Sequence, residues 1–152
     1  MTVRVQTEDF DVAAEMAALR MGNPKIGAIA SFVGVVRDLN EGESVSTMTL
    51  EHYPGMTERA LTEIVERARA RWDLYDVLVI HRVGPLAPTD QIVLVMVSSA
   101  HRGEAFAACE FVMDWLKTEA PFWKKEETPA GARWVDARES DDAARARWEA
   151  PQ

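Results

Sequence analysis

The sequence predicts an α+β fold. Amphipathic segments of helical period are interleaved with runs of β-branched residues, and the resulting order, β-α-β-β-α-β-β-α-β-β, is not the strict alternation of a parallel doubly wound sheet. It fits a mainly antiparallel sheet with helices on one side. A chain of 152 residues and 17.0 kDa is the size of one domain, and neither a repeat nor a linker divides it, so residues 1–152 are expected to fold as a single unit.

Thr2–Gln6 alternates polar and apolar residues like an edge strand. Asp11 is placed to cap a helix through Leu19, which Gly22 and Pro24 end. Gly27–Val36 is nearly all apolar and predicts a strand buried on both faces. The polar stretch Asp38–Glu43 reads as a hairpin loop into an alternating strand, Val45–His52. After the turn Tyr53-Pro54-Gly55-Met56, Thr57 is the expected N-cap. Ala60, Leu61, Ile64, Val65 and Ala68 then follow helical spacing up to Trp72. Strand Val77–Val83 is stopped by Gly84-Pro85, and Ile92–Val97 forms the heart of strand Gln91–Ala100. Gly103–Thr118 is a second long helix, with Phe106, Cys109, Val112, Met113 and Leu116 expected inward and Pro121 beyond its end. Short strands at Phe122–Glu126 and Arg133–Asp136 precede a tail where Ser140 caps a last turn or two of helix.

Composition narrows the function. Apolar residues are 47% and charged residues 28%, the balance of a folded globular domain. The longest apolar run, Ile92–Val97, is far shorter than the ~18 residues of a membrane span. The N-terminal MTVRVQTEDFD has no apolar signal core. The single Cys109 leaves no internal disulfide and no thiol pair for a metal. A cytoplasmic protein without metal or cofactor is expected. The net charge of −8 argues against a nucleic-acid partner. Against that acidic background, in which Glu8, Asp9, Asp11, Asp141 and Asp142 read as solvated surface, clustered cations stand out.

Those cations sit where rigid elements end. Arg37 follows the run Ala28–Val36; His101-Arg102 sits between a strand and a helix; Lys117 closes that helix; Lys124-Lys125 follow Phe122-Trp123. Strand ends and helix N-termini are suited to anions, so the set suggests a phosphate or carboxylate ligand. Each member also has a purely structural explanation. Arg37 can be an exposed strand end, and Lys117 can simply complement the helix dipole. Lys124-Lys125 beside Glu126-Glu127 can be a solvated charge run, and His52 and the His81-Arg82 pair can merely complete strands. Cys109, on an apolar helix face, reads as an inert buried thiol. The nucleophile-elbow, zinc-protease, P-loop and dinucleotide-binding motifs are absent from the sequence.

Six strings, taken together, resemble the large, catalytic subunits of molybdopterin synthase. They are FVGVVRD (Phe32–Asp38), LEHYPGM (Leu50–Met56), HRVG (His81–Gly84), SSAHRGEAF (Ser98–Phe106), LKTEAPFWKKE (Leu116–Glu126) and RWVDARES (Arg133–Ser140). The resemblance implies an α/β hammerhead with an antiparallel β subdomain. It implies an enzyme that transfers two sulfurs to cyclic pyranopterin monophosphate, forming the dithiolene of molybdopterin in molybdenum cofactor biosynthesis. The sulfur would come from the C-terminal Gly-Gly thiocarboxylate of a small ubiquitin-like carrier subunit, and the catalytic subunits would pair as a homodimer within a heterotetramer. Carried over by motif, Lys117 and Lys124 match the catalytic lysines. Arg37, His101, Arg102 and Arg138 match positions that bind the pterin and its phosphate together with the two lysines, some of them across the dimer interface. The residue types suit that chemistry: guanidinium forks hold phosphate charge, and a lysine of ordinary pKa ~10.4 is a proton donor at neutral pH.

Overall fold

The computed structural model describes residues 2–40, 43–44, 47–128, 131–135 and 139–149. The first half comprises β1 (Thr2–Gln6), α1 (Val12–Arg20), β2 (Ala28–Val35), β3 (Leu39–Asn40), β4 (Glu43–Ser44), β5 (Thr47–His52) and α2 (Met56–Arg71). The second comprises β6 (Asp76–Arg82), β7 (Gly84–Leu86), β8 (Gln91–Ser99), α3 (Arg102–Glu119), β9 (Phe122–Thr128), β10 (Gly131–Val135) and α4 (Glu139–Glu149).

The longest apolar run becomes the most buried strand, because only a covered central position removes both of its faces from water. β8 pairs antiparallel with β6 and β2, and β1 joins β6 in parallel at the edge, giving the order β1-β6-β8-β2. Alternation along the strands divides the core in two. Val77, Val79, Val93, Val95 and Val97 pack with Leu61, Ile64, Val65 and Ala68 of α2 and Ala105, Ala108, Val112 and Leu116 of α3. Leu78, Ile80, Leu94 and Met96 point the other way, onto Phe10 and Met16. Burying a side chain such as Leu94 contributes roughly 1.5–3 kcal/mol, so this double coverage is the main stabilising feature.

A second sheet, β10-β9-β5-β7, is wholly antiparallel. It meets the first through a small cluster of Val36, Met48, Leu50, Val83, Leu86 and Ile92, against which Phe122 also packs. The α+β class and the separate antiparallel sheet agree with expectation.

Several expectations are corrected. Helices lie on both faces of the large sheet, α1 on one and α2 with α3 on the other, rather than on one side. β2 is an edge strand, not doubly buried: Phe32 is 41% and Val35 47% exposed. Thr57 is not the N-cap of α2. That place is taken by Gly55, whose φ of 87° a side chain disfavours, while the Glu58 carboxylate accepts from its N–H at 3.2 Å. The strand before Gly84-Pro85 does end there, as β6 at Arg82, but the pair also begins a further short strand, β7, which adds to β5. Phe106 is 65% exposed, since the alanines at 105 and 108 take the face nearest the sheet. The segment read as one hairpin loop carries the two-residue strands β3 and β4, and the strand after it is described from Thr47, with residues 45 and 46 outside the described residues. The last helix runs a full 11 residues.

Candidate active site

The end of α3 and the start of β9 form one tight corner. The Ala120 N–H closes the helix on the Leu116 carbonyl at 3.3 Å, and the Phe122 N–H bonds the Ala120 carbonyl at 2.9 Å. Lys117 therefore lies in the last helical turn and Lys124 in the third position of the following strand. On β9, Phe122 is paired with His52 and Lys124 with Leu50. Residues directly opposite in an antiparallel pair share a face, as do residues two apart on one strand. His52, Phe122, Leu50 and Lys124 thus lie on one face, and the 2% exposure of Leu50 marks that face as inward. The Trp123 ring, on the other face, meets Tyr53 edge-on at 4.7 Å.

His81 lies beneath this face. It is 4% exposed, and its ring stacks on Phe122 with centroids 3.8 Å apart and planes 19° from parallel. Its Nδ1 is 2.8 Å from the Arg82 carbonyl oxygen. A carbonyl only accepts, so Nδ1 carries the proton and Nε2 carries the lone pair of a neutral ring. Burial pushes its pKa down to about 3; the Arg82 carbonyl opposes the shift, and the charges of Lys117, Lys124 and His52 reinforce it. Both lysines consequently share one electrostatic neighbourhood, floored by an aromatic ring and an imidazole that stays neutral at physiological pH. The sequence alone gives His81 only a place in a strand; its place at the site comes from the stack on Phe122.

Arg37 leaves the chain one residue after Val36, which is buried with Leu50 in the small cluster. Its side chain is exposed. The backbone before it is fixed by the adjacent turn: Val36 donates to the Asp90 carbonyl at 2.9 Å and accepts from the Thr89 N–H at 2.9 Å. Thr89 has φ 78°, a value that a β-branched residue rarely adopts, so this turn is held under strain beside a predicted ligand-binding arginine.

His101 and Arg102 are exposed at the N-terminal end of α3. Ser99 positions them: its hydroxyl lies 2.9 Å from the Asp73 carbonyl and 3.0 Å from a Glu104 carboxylate oxygen, and accepts from the His101 N–H at 3.4 Å. They do not join the lysines within one chain. Register places Val35 beside Gln91 and Ala28 beside Ser99, so Arg37 and His101 sit at opposite ends of β8. Eight residues of strand separate those ends, about 27 Å at the usual rise. α3 then carries the chain back, and Lys117 lies 15 residues beyond Arg102, about 22 Å along the helix. The structure brings together Lys117, Lys124, His81 and His52 and leaves His101-Arg102 remote. Arg138 lies outside the described residues.

Other chemistry is weaker. Burial pushes the Cys109 thiol up to about 11, which leaves it protonated and unreactive. Among the described residues there is no group of three or more His, Cys, Asp or Glu arranged to hold a metal. No helix of the described residues is long and apolar enough to cross a membrane.

Comparison with known proteins adds to this geometry. The family model for the MoaE protein matches residues 5–119. A molybdopterin synthase catalytic subunit from Ralstonia nicotianae is 70% identical over 147 residues, covering 97% of this chain and 84% of that protein. The structure of a molybdopterin biosynthesis MoaE protein from Burkholderia ambifaria superposes with a TM-score of 0.84 at 64% identity, covering 99% of both chains. At 17% identity, a chain from the complex of subunits 1 and 2 of the Helicobacter pylori molybdopterin-converting factor shares the fold, with a TM-score of 0.73 over 90% of this chain and 91% of that one.

Proposed function

The chain belongs to the MoaE family of molybdopterin synthase catalytic subunits, enzymes of molybdenum cofactor biosynthesis, and from that membership we propose how its own residues act. The proposed reaction is the transfer of two sulfurs from the C-terminal thiocarboxylate of a small ubiquitin-like carrier to cyclic pyranopterin monophosphate. In each transfer a carbon–sulfur bond forms on the pterin as a carbon–oxygen bond there breaks. One of these openings releases the cyclic phosphate at one end and the other releases water. On the carrier the acyl–sulfur bond is hydrolysed by water to leave a carboxylate.

The observation that carries this reading is the convergence of Lys117 and Lys124 on one half-buried face above a neutral His81. Two cations over an uncharged floor attract a thiocarboxylate and a phosphate. Lys117 orients the thiocarboxylate and donates a proton during sulfur transfer, and Lys124 stabilises charge that develops on the substrate. Arg37 holds the phosphate from the adjoining loop. His101 and Arg102 lie too far away to act in the same chain, so they serve the site of a second copy in a homodimer. Arg138 completes the pterin site. The carrier presents its terminal Gly-Gly because only glycines let a backbone pass so close to the lysines. A H. pylori chain of the same fold occurs in a two-subunit complex, which supports a carrier of this kind. We take the cytoplasm as the site of the reaction.

Lys117→Arg tests the assignment. Arginine keeps the positive charge and the favourable helix-end interaction but does not release its proton and is bulkier. The variant is expected to fold normally and to lose at least about a hundredfold in single-turnover sulfur transfer, the usual worth of general acid–base assistance. Lys125→Ala, at the neighbouring lysine, is expected to stay within about threefold of wild type. Near-normal turnover by Lys117→Arg contradicts the catalytic role.

A further inference from the structure

The corner between the two lysines is held from outside by a buried threonine. Thr57 is fully buried in the first turn of α2. Its hydroxyl donates to the Pro121 carbonyl at 3.2 Å, across 64 residues of sequence, and accepts from the Tyr53 N–H at 3.1 Å. Pro121 follows the C-cap of the helix bearing Lys117 and precedes the strand bearing Lys124. The next residue, Phe122, is fixed independently by its stack on His81. Proline has no N–H, so its carbonyl is its only main-chain hydrogen-bonding group, and the bond to Thr57 ties this corner, closed locally by the Phe122 N–H on Ala120, to α2.

We propose that Thr57 is a positioning residue for the lysine pair, anchoring the Pro121 carbonyl so that the end of α3 and the start of β9, and with them the amines of Lys117 and Lys124, keep one separation. The proposal rests on the reading that these two lysines perform the sulfur transfer. Thr57 itself touches neither substrate nor reacting atoms. Its effect is geometric: a displacement near 1 Å between groups that must meet one substrate costs on the order of a hundredfold in rate. A hydroxyl on a β-branched side chain suits the task, because few rotamers are open to it once buried.

The test uses the complete enzyme, thiocarboxylated carrier and pyranopterin. Thr57→Val keeps the shape and removes the hydroxyl; Thr57→Ser keeps the hydroxyl. Thr62→Val is the control, since the Thr62 hydroxyl bonds only back along its own helix, to the Glu58 carbonyl at 2.8 Å. Thr57→Val is expected to lower kcat at least about tenfold with KM for the pyranopterin within about threefold, Thr57→Ser to return kcat to within about threefold, and Thr62→Val to match wild type. A second readout needs no turnover: the ratio of acylation rates at Lys117 and Lys124 by a water-soluble ester, measured by peptide mass spectrometry, is expected to change in Thr57→Val and not in Thr62→Val. Folded Thr57→Val with wild-type kcat and an unchanged ratio overturns the proposal, as does an equal loss in Thr62→Val. Should Thr57→Val fail to fold, Thr57→Ala, which also removes the hydroxyl, decides: wild-type kcat and labelling ratio overturn the proposal, and a loss of kcat with a changed ratio supports it. If instead Lys117→Arg proves active, the catalytic reading fails while the labelling ratio still reports whether Thr57 sets the corner.

Discussion

His81 shows how one side chain links stability to the site. Its ring is neutral in the fold down to about pH 3, whereas an unfolded histidine takes a proton near pH 6.5. Above pH 6.5 both states are neutral and the group contributes no pH dependence. As pH falls from 6.5 toward 3, the unfolded chain binds a proton that the fold refuses, and stability declines by up to about 1.4 kcal/mol per pH unit. His81→Phe preserves an aromatic surface for Phe122 and removes the titration. Its stability between pH 6 and pH 4, followed by urea denaturation, is expected to fall less steeply than wild type by up to that amount per unit. Parallel profiles would mean that the imidazole is not held neutral. The same residue marks a limit of sequence reasoning. Lys117 and Lys124 were legible as candidates because their strings carry the family resemblance. His81 was not, because its place at the site depends on the Phe122 ring of a strand far along the chain stacking on it at 3.8 Å.

At the scale of elements, β-branched runs and capping residues were readable. Asp11 caps α1 as expected, its carboxylate accepting from the Ala14 N–H at 3.1 Å. What was missed depends on neighbours. An apolar run does not distinguish a strand covered twice from an edge strand, which is why β2 carries exposed Phe32 and Val35. Helical period gave a face for α3 but not its centre, because alanine is a weak apolar signal even where it packs closest. The terminal helix was underestimated for a related reason: its apolar residues are few, and it is held by long-range contacts. The Trp148 ring meets Trp72 and Phe111 edge-on at 5.8 and 5.7 Å, and the Arg71 guanidinium lies 5.0 to 5.8 Å from all three rings. The Trp148 indole N–H donates to Asp114, and Arg147 bridges Glu110 at 2.6 Å and Asp114 at 3.0 Å. Trp148→Ala is expected to destabilise the protein by about 2 kcal/mol, less than a full core truncation because the ring is half-buried. Arg147→Ala, at an exposed ion pair, is expected to cost less than about 1 kcal/mol. Equal costs from denaturant titration would show that charge, not the aromatic cluster, holds α4.

For the whole molecule, the two sheets meet where the lysines converge, and the helix that carries Lys117 returns it to that junction from the far end of β8. Arg37 stands at the same junction and His101-Arg102 at the opposite end, about 27 Å away along the strand. A single chain therefore carries these cations in two separate groups, which the homodimer proposed above would unite. The most direct measurement is dithiolene formation in a mixture of this protein, cyclic pyranopterin monophosphate and the carrier, run in parallel with the carrier as thiocarboxylate and as ordinary carboxylate. Sulfur transfer by this site predicts dithiolene product with the thiocarboxylate carrier, at two carriers consumed per pterin, and none with the carboxylate form. Dithiolene formed without the thiocarboxylate, or its absence when all three components are present and folded, would contradict it.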